Sequence, residues 1–299
     1  MKLRRPGRRS AKVVAVLLIA ATAVAGGVAY RAAGQLLAPC PKTIGGVPED
    51  FPAEEVAFAS ESGSTIRGWC QSGEPGRGVV VLLHGIRSDR RASVPRAKLI
   101  AEAGFSTLLI DLRCHGESAR EDGDEFIGLG HLERHDVRAA AEFAKRWRPG
   151  EPIGVVGFSL GGAATVLASP LGVDAVVLEA VFPTIDAAVD NRTERYGVLG
   201  PLASWALRVQ LKPRTGVSTK DLRPVDKIDE LGCPVLIVGG GKDRHTTPDD
   251  TRQLFGAAAE PKELVWFEDL AHNNYAHREP KHYRDKVVGF LRRHLNAED

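Results

Sequence analysis

From about residue 53 onward the chain alternates short, unbroken apolar runs with longer segments whose apolar residues recur every three or four positions. Val79–Leu83, Ser106–Ile110, Ile153–Gly157, Ala175–Leu178, Val235–Val238 and Glu263–Phe267 belong to the first kind. They are too short for helices and lack the polar alternation of a half-exposed strand. They therefore predict strands covered on both faces. Helical spacing predicts helices over Arg91–Ala103, His131–Trp147, Asp249–Ala259 and Lys281–Leu295, with Gly104 and Pro149-Gly150 as stops for the first two. Glu55–Phe58 and Thr65–Trp69, joined by the turn Ser60–Ser64, read as an antiparallel hairpin. The pattern predicts an α/β domain: a mostly parallel sheet, an antiparallel N-terminal hairpin and helices on both faces.

Two stretches break the alternation. Val181–Gly232 contains two helix-like runs, Ala187–Tyr196 and Pro201–Leu211, then the basic, turn-rich Lys212–Ser218. It reads as a short helical cap inserted over the strand ends. At the other end, Val13–Ala29 is uncharged and rich in Ala, Val, Leu and Ile. Six basic residues precede it (Lys2, Arg4, Arg5, Arg8, Arg9, Lys12), with no acid among them. A basic tip before an apolar run orients the N-terminus toward the cytoplasm and sends the rest of the chain across the membrane. The expectation is a transmembrane signal anchor that holds the domain on the extracytoplasmic side. A cleaved signal peptide, with small-residue sites at Ala21-Thr22-Ala23 and Ala23-Val24-Ala25, would give a secreted protein instead; a cytosolic protein with a membrane tether is the third reading. The divisions expected are 1–31 for this segment, 32–53 for a Pro-rich linker, and 54–299 for the α/β domain, its insert at about 181–232.

Charge changes the picture once the tip is set aside. The formal charge of +2 includes those six positive charges, so the remainder carries −4. A nucleic-acid partner is excluded on that ground, since the body has no basic face to offer. The four cysteines, Cys40, Cys70, Cys114 and Cys233, form no C-x-x-C pair, which argues against zinc and thioredoxin-like chemistry. Export would permit one disulfide, Cys40–Cys70, contributing about 3 kcal/mol by loop closure; the alternative leaves all four as buried thiols.

The candidate chemistry lies where the predicted strands end. Gly157-Phe158-Ser159-Leu160-Gly161, followed by Gly162, is a G-x-S-x-G strand-to-helix turn. Such a turn exposes Ser159 Oγ and places the Leu160 N–H in the first turn of a helix, where amides have no internal partner. His84-Gly85-Ile86 follows the first parallel strand, and the Ile86 N–H is the second candidate oxyanion donor. His84 itself reads as a brace for the turn. Asp111 and Arg113 are expected to pair and hold the loop through Ser118. Asp243 follows Gly239-Gly240-Gly241-Lys242, and His272 follows the last strand. The order Ser159, Asp243, His272 suits a serine activated by a histidine whose tautomer a carboxylate fixes. Glu179 is the rival acid; His245, His277 and His282 read as surface histidines.

With these motifs in order, the chain resembles the serine α/β-hydrolases, near the esterase/lipase, acylaminoacyl-peptidase-like and dienelactone-hydrolase-like branches. The resemblance covers roughly Glu54 to Leu295. Two departures stand out: Cys114 occupies a loop position that is usually glycine, and Arg87-Ser88-Asp89-Arg90 charges the loop beside the oxyanion turn. The second either biases the site toward anionic substrates or is simply solvated. The resemblance implies a serine hydrolase that cleaves carboxylic esters or thioesters through an acyl-enzyme on Ser159, with no metal or organic cofactor. A small-molecule ester or lipid-like compound is the expected substrate. Leu199, Leu202, Trp205 and Leu207 are candidates for an acyl pocket, or for packing the cap onto the core. A serine peptidase or amidase is the enzymatic alternative, and a non-catalytic, membrane-tethered scaffold the other.

Overall fold

The computed structural model describes residues 8–118 and 126–295. Lys2, Arg4 and Arg5, half of the basic tip, lie outside the described residues. Eight strands form one sheet: β1 (Glu54–Ala59), β2 (Thr65–Gln71), β3 (Val79–Leu83), β4 (Ser106–Ile110), β5 (Ile153–Phe158), β6 (Ala175–Glu179), β7 (Val235–Gly240) and β8 (Lys262–Phe267). Across the sheet they run β8-β7-β6-β5-β3-β4-β2-β1. β1 and β2 pair antiparallel, as do β2 and β4; every other pairing is parallel. The five central parallel strands β3 to β7 are buried along their length, apart from the half-buried Phe158, which is why they read as continuous apolar runs.

Alternation along each strand splits the core in two. Val79, Val81 and Leu83 of β3 face one layer of helices, and Val80 and Leu82 face the other. The first layer holds α3 (Arg134–Trp147) and α4 (Leu160–Leu167). α8 (Pro248–Ala257) packs on the same side through Leu254. The second holds α2 (Val94–Ala101) and the C-terminal helices α9 (Tyr275–Arg278), α10 (Pro280–Tyr283) and α11 (Gly289–Leu295). The C-terminal stretch is helical without a break from Pro280 to Leu295, as the spacing predicts, but it is not α-helical throughout. A wide π turn over Arg284–Val288 separates α10 from α11 and brings Tyr283, Val287, Val288 and Phe290 together onto the sheet.

The chain passes from β3 to β4 on one side and reaches β5 on the other side of β3. The sheet therefore reverses direction between β3 and β5, and the crevice at their carboxyl ends is where such sheets bind ligands. Leu83 lies opposite Gly157, so the turns after β3 and β5 emerge side by side.

The cap is α5 (Ile185–Thr193), α6 (Gly200–Arg208) and α7 (Leu211–Thr215), with short 3-10 turns between and after them. Leu199, Leu202 and Trp205 are all exposed, and they line neither of the two spaces that flank Ser159. Only Leu207 packs against the main core.

The N-terminal expectation needs correcting. Among the described residues no helix is long and apolar enough to cross a membrane. The signal anchor, the transmembrane helix and the extracytoplasmic placement that rested on them do not hold. The segment is a helix, α1 (Arg8–Leu37), that does not stop at Arg31. Its last turns dock on the domain: Ala33 and Leu37 are buried, Arg214 Nη2 donates to the Tyr30 carbonyl at 2.8 Å, and Ile127 N donates to the Leu37 carbonyl at 2.8 Å. Ala33 and Leu37, which the sequence divisions assign to the linker, are thus part of the packed body. Cys40 and Cys70 are not joined. Cys40 pairs in a two-residue parallel bridge with His115, while Cys70 is buried in β2.

Candidate active site

Ser159 sits between β5 and α4 with φ 50° and ψ −110°, a backbone state that L-residues seldom hold. The turn is tight enough that a Cβ at Gly157 would meet Gly162 Cα at 2.6 Å, and one at Gly162 would meet Val181 Cγ2 at 2.2 Å. Close approach, not backbone freedom, is what demands glycine there. The Ser159 amide donates to the Glu179 carbonyl at 2.8 Å, which ties the turn to β6.

His272 Nε2 lies 3.2 Å from Ser159 Oγ, and His272 Nδ1 lies 2.7 Å from Asp243 Oδ2. The loops carrying the last two are stitched together: Gly241 N donates to Phe267 O at 3.0 Å and Lys242 N to Leu270 O at 2.9 Å. Asp243 is buried, and its Oδ1 accepts the amides of His245 at 2.7 Å and Thr246 at 3.0 Å. The structure thus brings the three sequence candidates within hydrogen-bonding reach of one another. It places Glu179 elsewhere. That carboxylate accepts from Arg96 Nε at 2.8 Å, from Arg96 Nη2, and from the Tyr283 hydroxyl at 2.7 Å. His245 stands edge-on to His272, ring centroids 5.5 Å apart, and gives Asp243 its amide rather than its imidazole.

The oxyanion candidates lie between two occupied donors. Gly161 N donates to His84 O at 3.1 Å, and Arg87 N to His115 Nε2 at 3.0 Å. The neighbouring amides of Ile86 and Leu160 have no acceptor among the described residues. Two histidines brace this turn. Leu112 N donates to His84 Nε2 at 3.1 Å, which leaves the proton on Nδ1, 2.7 Å from Gly85 O. His115 repeats the arrangement, with Nδ1 2.8 Å from Arg113 O. Both must be neutral to accept through Nε2. Burial enforces it, lowering His84 to about 4 and His115 to about 3.

Asp111 does not pair with Arg113. Its two oxygens accept from the backbone and guanidinium of Arg90, and from Glu117 N at 3.0 Å. Arg90 also pairs with Glu117 and stacks 4.7 Å over Trp69. The charged run after the oxyanion turn is therefore largely an internal brace: Asp89 and Arg90 are both buried, neither solvated nor facing a ligand. Arg113 instead donates to Phe126 O at 2.9 Å. Cys114 keeps a glycine-like φ of 62° while fully buried, and its carbonyl accepts from Cys40 N at 2.6 Å.

Two spaces flank Ser159. A cleft of about 290 Å³ is lined by Gly85, Ile86, Ser93, Arg96, Phe158 and His272 among others. A narrower, apolar slot is walled by Leu36 of α1, Leu129, Phe182, Ile185, Ala188 and Val189. Sequence reading missed this slot because its walls come from segments 36, 129 and 182–189, which nothing local connects. It also missed Phe158, whose ring lies 5.0 Å from His272 and 5.1 Å beneath the Arg96 guanidinium.

An α/β sheet with a strained serine turn at its reversal point defines the α/β-hydrolase class, and the sequence comparison agrees. The profile of the alpha/beta hydrolase family matches residues 80–283, and the chain belongs to that family. It is similar to an esterase from Pyrococcus furiosus (20% identical, TM-score 0.70, covering 86% of this chain and 98% of that one). It is also similar to a Xanthomonas campestris α/β serine hydrolase described as lacking a lid (18% identical, TM-score 0.57, covering 85% and 99%). At such identities these two establish the fold alone. Among curated proteins, the uncharacterized YfhR of Salmonella typhi is 23% identical over 274 residues, covering 84% of this chain and 85% of its own. Membership of this family supports hydrolase activity.

Proposed function

We propose that the protein is a serine hydrolase that cleaves small carboxylic esters or thioesters through an acyl-enzyme on Ser159. The observation that carries this is the continuous relay: Ser159 Oγ 3.2 Å from His272 Nε2, and Nδ1 2.7 Å from Asp243, beside two amides without acceptors. His272 Nε2 takes the Ser159 proton as Oγ attacks the carbonyl carbon. Asp243 holds the proton on Nδ1 and stabilises the imidazolium. The amides of Ile86 and Leu160 receive the carbonyl oxygen as it becomes negative, each such donor lowering the barrier by about 3 kcal/mol. His272 then gives its proton to the departing alcohol or thiol. Water, deprotonated by the same imidazole, attacks the acyl carbon; the bond to Ser159 Oγ breaks, the carboxylic acid leaves, and the imidazolium returns its proton to Oγ. The apolar slot beside Ser159 suits a short acyl chain, and the larger cleft suits the leaving group. Ser159→Ala, assayed on 4-nitrophenyl esters of graded acyl length, should lose about three or more orders of magnitude in kcat while keeping its melting temperature. Turnover near that of the parent would refute the reading.

A further inference from the structure

The last turn of α5 carries Arg192, whose Nη1 donates to the Ala188 carbonyl one turn back at 2.8 Å. Arg192 lines both the cleft and the slot, and so do Ser159 and Ile86. Arg192 thus borders the site on both sides of the serine. It has no carboxylate partner among the described residues. The acids around it are all engaged. Asp186 and Asp190 on its own helix take Arg208, at 3.1 and 3.6 Å. Asp190 also takes Ser204, and Asp250 takes Asn191 Nδ2 at 2.6 Å. Asp243 is turned to His272 and to two amides. Two neighbouring buried cations are neutralised: Arg96 by Glu179, and Arg90 by Asp111 and Glu117. Arg192 lines both spaces, Arg96 the cleft alone, and neither lining contains an Asp or Glu.

An arginine stays protonated at any ordinary pH, even where desolvation draws its pKa down as it does here. A cation taken partly out of water without a counter-ion is costly unless a ligand supplies one. Its planar fork fits a carboxylate or a phosphate through two parallel hydrogen bonds. We propose that Arg192 receives an anionic group of the substrate, so that the preferred ester carries a carboxylate or phosphate near its scissile carbonyl. This rests on Ser159 being the nucleophile. It deepens that reading, since the relay and the oxyanion amides are indifferent to substrate charge. Arg192 acts on binding and selectivity, while the proton transfers remain with His272.

The test uses matched ester pairs differing in one anionic group. Monomethyl glutarate against methyl pentanoate places a carboxylate in the acyl half. 4-Carboxyphenyl pentanoate against phenyl pentanoate places it in the alcohol half. 1-Pentanoylglycerol 3-phosphate against 1-pentanoylglycerol places a phosphate there. At least one charged member should exceed its neutral partner by about tenfold in kcat/KM, mainly through KM, and by less at high salt. That pair identifies the anion and its side. Arg192→Ala should lower the charged-to-neutral ratio by about 10-fold or more, and Arg192→Lys should restore part of it. Arg195→Ala, at an exposed arginine stacked on Tyr196, should leave the ratio where it was. The inference is overturned if no pair shows a charge preference, or if the preference survives in Arg192→Ala. Fluorophosphonate labelling of the same preparations separates the two levels. A labelled, active enzyme indifferent to charge defeats the Arg192 assignment alone. An enzyme neither labelled nor active defeats the Ser159 reading and this inference with it.

Discussion

Replacing Asp243 by asparagine tests the relay at its most constrained point. Oδ1 accepts two backbone amides, from His245 and Thr246, at 2.7 and 3.0 Å; Oδ2 faces His272 Nδ1 at 2.7 Å. An asparagine fits that volume in only one orientation. Its carbonyl oxygen must take the Oδ1 position, because an NH₂ there would face two donors in a buried site. Its NH₂ then faces Nδ1, which can only accept. The imidazole proton is driven to Nε2, where it points at Ser159 Oγ and can no longer take the serine proton. The expected loss is about 10⁴-fold in kcat, or about 5.5 kcal/mol of barrier. The fold should be retained, because every hydrogen bond to the backbone is kept. The assay is steady-state hydrolysis of 4-nitrophenyl butyrate, with a melting curve on the same sample. Glu179→Gln, measured as folded protein, should lose less than about tenfold, since Glu179 touches Arg96 and Tyr283 and not His272. Asp243→Asn within tenfold of the parent, or a larger loss in Glu179→Gln, would refute the argument.

The cost of Glu179→Gln should instead appear in stability. Glu179 and Arg96 are both buried, and removing one charge of a buried pair costs about 3–5 kcal/mol; urea unfolding measures it, and an unchanged midpoint would contradict the pairing. Acid should loosen the braces of the oxyanion turn. His84, lowered to about 4, binds its proton more weakly folded than unfolded, where its pKa is near 6.5. The stability tied to its neutral form is fully present above about pH 6.5. It is lost as pH falls toward 4, by up to about 3 kcal/mol, with His115 adding in the same direction. Urea midpoints that stay flat between pH 7 and 4.5 would contradict this.

The parallel core was legible because both of its faces are covered, so β3 to β7 carry unbroken apolar runs. Ser159 stood out because a turn that tight leaves no room for side chains at Gly157 and Gly162. Asp243 and His272 stood out because they follow the last two strands in a fixed order. The failures are non-local. Asp111 was matched with its sequence neighbour Arg113, yet Arg90 reaches it from 21 residues away. Leu199, Leu202 and Trp205 have the spacing of a buried helix face, but the cap turns them to solvent, and Leu36 of α1 helps wall the slot instead. The charge step at Arg31 suggests the end of a helix. The helix is held across that point by Arg214 donating to Tyr30 O at 2.8 Å, and beyond it by Arg87 Nη1 donating to Gln35 O at 2.7 Å, contacts that no local pattern encodes. Cys114 stands at a glycine position and takes up a positive φ of 62°, with its carbonyl held by Cys40 N at 2.6 Å.

The most direct test of the central claim is covalent. The protein is treated with a fluorophosphonate probe, and the adduct is located by intact mass and peptide mapping. The account requires one adduct per chain, on the peptide holding Ser159, absent in Ser159→Ala and slowed by a competing ester. An adduct on another residue, or ester turnover that persists without any adduct, would contradict it.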